Sequence, residues 1–160
     1  MLKKMVFVVL TAFGLLSAQE YQFPKENPNL KINFPQEWQV EHFEHFLEAR
    51  SVEDSLQFIL LKFNPGHNLE SAKTFLAGFL EDLAPDIQLV KNETLLFNDI
   101  TFNSFHGSGK ISETSKYLVT TFIFNLSNEQ YFGIITIYPR EFSERVESGI
   151  KEVLNSVVKI

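Results

Sequence analysis

The 160-residue chain contains no cysteine. That excludes disulfide staples, thiolate metal ligands, a cysteine nucleophile and the cysteine-borne lipid that anchors bacterial lipoproteins. The fold must therefore be held by an apolar core. Basic clusters are also missing: after Lys3-Lys4, Lys and Arg occur only singly, and the formal net charge is −6. An acidic surface without a basic patch is repelled by phosphate backbones and anionic headgroups, so nucleic acid is not an expected partner. No low-complexity stretch, internal repeat or Gly/Pro-rich linker breaks the chain, which argues for one domain. Long apolar runs are scarce too. The single candidate is Met5 to Leu16, and nothing after it approaches the ~20 apolar residues of a membrane-crossing helix.

That run follows Met1-Leu2-Lys3-Lys4 and gives way to Ser17-Ala18-Gln19. A cationic head, an apolar centre and a small residue before the break form a secretory signal of bacterial type over residues 1–18, with cleavage expected after Ala18. Leu16 is larger than the residue usually found three positions before a cut, which leaves neighbouring bonds open. The run is too short to cross a hydrocarbon core of roughly 30 Å as a helix. The expected product is an exported, soluble protein, periplasmic or extracellular, with no lipid anchor. Loss of two lysines and no acid makes it more acidic still.

What the chain does have is apolar mass: 44% hydrophobic residues and 17 phenylalanines, spread along its length, which argue against disorder. Residues 19–29 are polar, contain Pro24 and Pro28, and read as a lead-in. Leu30, Ile32 and Phe34 alternate with polar residues as in a half-buried strand. Pro35-Gln36-Glu37 turns the chain, and Trp38-Gln39-Val40 resumes in extended form. Leu56 to Phe63 is a strand apolar on both faces. Asn68 is placed to cap a helix to about Ala84, with an apolar stripe of Leu69, Ala72, Phe75, Leu76, Phe79, Leu80 and Leu83. Short strands are expected at 87–90 and 94–97, a turn at Asn98-Asp99, a strand at 100–105 and a flexible loop at Gly107-Ser108-Gly109. Tyr117 to Leu126 and Tyr131 to Tyr138 read as a hairpin, again apolar on both faces. A last helix runs from about Ser143 to Val157. Two amphipathic helices and a two-sided antiparallel sheet predict an α+β fold, an α/β/α sandwich with helices covering both faces.

The stretch Phe34-Pro35-Gln36-Glu37-Trp38, the helix before a run of antiparallel strands, and the closing Glu152-Val153-Leu154-Asn155-Ser156-Val157 resemble the PsbP-like and DcrB-like domains. The resemblance covers most of residues 30–158, so 30–160 is expected to be a single PsbP-like domain. That group includes extrinsic photosystem II proteins, bacterial envelope lipoproteins and a fungal Ran-binding protein. It implies a protein-binding or accessory role in place of catalysis, and an antiparallel sheet sandwiched by helices. This chain departs from the lipoprotein members in lacking their cysteine.

Several clusters invite a chemical reading. Glu41, His42, Glu44, His45 and Glu48 are ligand-type residues; on a helix most would share a face and could hold a divalent metal, whereas a strand sends His42 and His45 to opposite faces. The preceding extended segment favours the strand. Gly107-Ser108-Gly109-Lys110 hints at a phosphate loop but has Ser104 and Ile111 where that motif needs glycine and Ser/Thr. His106 could serve Ser104 or Ser108 as general base, yet no orienting third group is visible. His67 reads as a loop residue near the helix cap. Asn92 and Asn125 begin glycan-acceptor patterns that matter only in a eukaryotic host. The aromatics Phe43, Phe46, Phe63, Phe97, Phe105 and Tyr131 fill core layers or line a groove for a lipid, peptide or partner. No cofactor pattern is present. The reading is an exported non-enzymatic binding or accessory module contacting an envelope protein or apolar ligand; the alternative is a metal-dependent or hydrolytic envelope enzyme using His42/His45 or His106.

Overall fold

The computed structural model describes residues 18–83, 86–110, 113–127 and 130–160. The signal sequence expected over 1–18 lies, except for Ala18, outside the described residues. Elements follow in the order β1 (Gln19–Phe23), β2 (Leu30–Phe34), β3 (Gln39–His42), β4 (Phe46–Ser51), β5 (Leu56–Lys62) and α1 (Leu69–Leu83). Then come β6 (Gln88–Phe97), β7 (Ile100–Lys110), β8 (Lys116–Ser127), β9 (Gln130–Pro139), a 3-10 turn at Arg140–Phe142, α2 (Ser143–Asn155) and β10 (Val158–Lys159).

Seven strands form the main sheet in the order β3-β4-β5-β9-β8-β7-β6, with every neighbouring pair antiparallel. A smaller antiparallel sheet has the order β1-β2-β10. The fold is α+β and mostly antiparallel, as the alternating and two-sided strands predict. The helix-on-each-face sandwich needs correction. One face of the main sheet carries α1; the other is closed by the small sheet together with α2. The small sheet exists because residues 19–23, expected to be lead-in, pair with β2 from Gln19↔Phe34 to Phe23↔Leu30. Glu20 and Gln22 point outward while Phe23 is buried, an alternation too short and too polar to stand out in sequence.

The closed face is dense in rings. Phe34 meets Phe58 edge-on at 5.3 Å and Trp38 at 5.9 Å, and Phe124 stacks on Phe132 at 5.4 Å. Val146, Ile150, Val153 and Leu154 press α2 into the same cluster. The proline turn is stitched: Trp38 N–H donates to Pro35 O at 3.0 Å, and the Gln19 carboxamide nitrogen lies 2.9–3.3 Å from the carbonyls of Pro35, Gln36 and Trp38.

Helix α1 begins where Asn68 predicts. Ser71 N–H donates to Asn68 Oδ1 at 2.9 Å, and Asn68 N–H donates to Ser71 Oγ at 2.9 Å, a reciprocal cap. Its buried stripe is Ala72, Leu76 and Leu80, packed with Ile59, Phe63, Val119, Ile123 and Ile135. Phe75 and Phe79, expected in that stripe, sit on its flank and are 49% and 37% exposed.

Two further corrections concern β6 and β7. The pieces expected at 87–90 and 94–97 are one strand with a bulge between Leu89 and Lys91. Asn98 and Asp99 both adopt left-handed φ (49° and 60°), the two-residue turn suited to strand twist. The glycine loop expected at 107–109 is strand: Gly107 and Ser108 pair with both β6 and β8, and Gly109 pairs with β8. Gly109 is there for clearance: a Cβ would run into the Tyr117 ring.

Candidate functional site

A helix is about 10 Å wide, whereas seven strands at about 4.8 Å spacing span roughly 30 Å. Helix α1 lies over β8 and β9 and cannot cover the rest. On its β7 side runs a half-open apolar cavity of about 320 Å³, walled by Leu76, Ala77 and Leu80 of α1 and by Phe105, Thr121 and Ile123 of the sheet. Lys73 stands at its rim. The Lys73 ammonium is 5.4 Å from the Phe105 ring centre and 2.6 Å from Glu70 Oε1, so the one cation there is shared between a ring face and a carboxylate.

The opposite flank of α1 is aromatic. Phe75 meets Phe63 edge-on at 5.6 Å, and His67 lies 5.5 Å from Phe63. Phe43, 39% exposed, stacks on Phe46 at 4.5 Å. Of the six aromatics singled out in the sequence, Phe43, Phe46, Phe63, Phe105 and Tyr131 lie on the α1 side; Phe97 packs against the closed-face cluster. Only Phe105 lines the cavity. Lys73 and Ala77 carried no sequence signal, being ordinary helix residues whose role comes from what α1 leaves uncovered.

The ligand-type cluster is dispersed. His42 ends β3, and its ring lies 5.8 Å from Phe23. Burial, with Lys25 nearby, pushes its pKa below the ordinary histidine value. Glu41 and His45 face solvent, and His45 reaches only Glu44, at 3.9 Å. Glu48 turns to Arg50 at 2.7 Å and Gln57 at 2.6 Å; these hydrogen bonds, Arg50 foremost, hold its carboxyl below the usual range despite burial. Among the described residues, no three His, Asp or Glu side chains are gathered to hold a metal.

His106 does acquire partners, and they argue against a nucleophile. Its Nε2 lies 3.0 Å from Glu93 Oε1 and its Nδ1 lies 3.1 Å from Thr120 Oγ1. Both ring nitrogens are thus engaged, Nε2 by the Glu93 carboxylate and Nδ1 by the Thr120 hydroxyl. Ser104 Oγ, 3.3 Å from Nε2, therefore finds no free base there and donates to Glu93 O at 3.1 Å. Ser104 is 0% and Thr120 4% exposed, so neither hydroxyl can meet a substrate. Lys91 at 2.8 Å is the main cause that holds the Glu93 carboxyl below its ordinary range. Lys110, the lysine of the glycine motif, gives its backbone N–H to Asp86 Oδ2 at 2.7 Å.

No protein-family model and no curated protein sequence matches the chain. Solved structures do. Cyanobacterial PsbP (CyanoP) from Synechocystis aligns with TM-score 0.62 at 12% identity, over 93% of this chain and 96% of that one. LpqN of Mycobacterium tuberculosis, involved in cell envelope biogenesis, gives 0.58 at 12% identity, over 89% and 91%. The Ran-binding protein Mog1p of Saccharomyces cerevisiae gives 0.56 at 10% identity, over 89% and 96%. The fold is thus the PsbP-like fold, in keeping with the resemblance at residues 34–38 and 152–157.

Proposed function

We propose that this PsbP-like chain is an exported, non-enzymatic binding or accessory module that takes a partner protein or an apolar ligand on its α1 face. The observation that carries the reading is the apolar cavity between α1 and β7–β8, left because one helix roofs a seven-stranded sheet. The leader-like residues 1–18 support export to the envelope, and no helix among the described residues is long and apolar enough to cross a membrane. Two proteins of like fold carry related descriptions, one in envelope biogenesis and one in Ran binding. The hydrolytic alternative at His106 is disfavoured by its occupied ring nitrogens and by the burial of Ser104.

Native mass spectrometry of protein purified from its host envelope tests the reading, with Ala77→Phe as the variant that fills the cavity. An apolar adduct or co-purifying polypeptide should accompany the wild type and the His106→Ala protein, and be lost from Ala77→Phe. An adduct that survives Ala77→Phe would refute the assignment to this cavity.

A further inference from the structure

Among the described residues, the main sheet ends in two edge strands of unequal character. At one edge β3 has only the four residues Gln39–His42; at the other, β6 runs for ten, Gln88–Phe97. A strand at an edge leaves alternate N–H and C=O groups unpaired, a template for another strand. Val90, inside the bulge, and Leu96 are 76% and 67% exposed, and Leu96 shares the side of the strand that Asn92 faces.

Side-chain charge restricts what can pair there. Lys91 and Glu93 project from the opposite side of β6, a lysine on the edge together with a bulge at 89–91, the usual guards against indiscriminate strand addition. One partner turns those guards into complements: β6 itself, reversed. In an antiparallel pair centred on Asn92, Lys91 of each strand stands opposite Glu93 of the other. Registers centred on Lys91 or on Glu93 would oppose like charges, which is destabilising. A two-fold axis through Asn92 satisfies the self-complementarity that an isologous interface requires. We infer that β6 is the interface between two copies of this chain, joined antiparallel about Asn92 into one continuous sheet of fourteen strands, two sevens across the axis. This inference does not depend on what the α1 cavity holds.

The absence of native cysteine makes the register directly testable. Directly opposed residues of an antiparallel pair have Cα atoms about 5.5 Å apart, within disulfide range. Asn92→Cys should oxidise to a disulfide-linked dimer, whereas Leu96→Cys, well away from the axis and from its counterpart in the other copy, should remain monomeric on a denaturing gel. In sedimentation velocity the wild type should run at twice the chain mass at high concentration. Lys91→Glu should halve it, and the exchange Lys91→Glu/Glu93→Lys should restore it. Thr94→Pro, which removes one outward N–H, should also give a monomer with an unchanged circular dichroism spectrum. A wild type that is monomeric at every concentration would overturn the inference. So would Leu96→Cys linking as fast as Asn92→Cys, or Asn92→Cys cross-linking in the envelope to a different polypeptide.

Discussion

The two faces of the main sheet use similar side chains to different ends. On the closed face, Phe58, Phe102, Phe124 and Phe132 are fully buried beneath the small sheet and α2, and Phe34 of β2 packs down onto them. On the α1 face, Phe75, Phe79 and Phe43 remain more than a third exposed, and Phe105 borders an open cavity. Roof width accounts for the difference. The closed face has three strands and a helix to shelter it; the other has one helix. Phenylalanine count therefore says little about a face, and the area of cover says most.

The sharpest test of this contrast is a matched pair of truncations. Phe58→Ala on the closed face should cost about 3–5 kcal/mol in chemical denaturation, the usual penalty for emptying a packed ring site. Phe75→Ala on the α1 face should cost under about 1 kcal/mol, in line with exposed substitutions, while weakening any α1-face binding. Equal costs would erase the distinction. A smaller effect is expected where the α1 face is itself tight: Gly109→Ala drives a methyl into the Tyr117 ring and should cost about 1–3 kcal/mol, read as a lowered denaturation midpoint.

The smallest effect concerns acid. Glu48, on the α1 side, has its carboxyl held below the ordinary value of 4.5 by Arg50 first and Gln57 next, against the opposing pull of burial. In the unfolded chain it takes up its proton at higher pH than in the folded one. Its contribution is therefore complete above the unfolded value and is lost as pH falls through the folded value. Denaturation midpoints of the wild type should drop more steeply below about pH 4.5 than those of Glu48→Gln. Parallel slopes would mean that the Arg50 contact contributes nothing. On the same face, burial and then Asp86 raise the Tyr117 phenol to about 12, while burial raises Tyr138 further still; two tyrosines should therefore ionise late in an alkaline titration, and the earlier of the two steps should vanish in Tyr117→Phe.

Much of this was legible in the sequence wherever local chemistry decides. The Asn68 cap, the Asn98-Asp99 turn, the strand at β5 and the hairpin of β8 and β9 all follow from short-range patterns. The misses are tertiary. Gly109 looks like part of a loop until Tyr117 is seen to need the room. Residues 19–23 look like a lead-in until β2 is there to pair with them. Phe75 and Phe79 fit a helical stripe by spacing, but the line of contact is set by where α1 crosses the sheet, which no periodicity records. The cavity was hidden for the same reason, since it is defined by what α1 fails to cover. The His106 contacts with Glu93 and Thr120 depend on sheet register across three strands and lie equally beyond local pattern.

The strand order carries a consequence for the time course of folding. Strands β3 to β5 are consecutive neighbours, as are β6 to β9, so each set can zip locally; they become one sheet only through β5 and β9, which lie far apart in sequence. Closure of a loop that long costs entropy before any pairing rewards it, so this seam should set the folding rate. During synthesis β5 has no partner on its inner side until β9 has emerged. The two sets should therefore stay separate until that seam forms, so slowing the pairing of β5 with β9 should slow folding of the whole sheet.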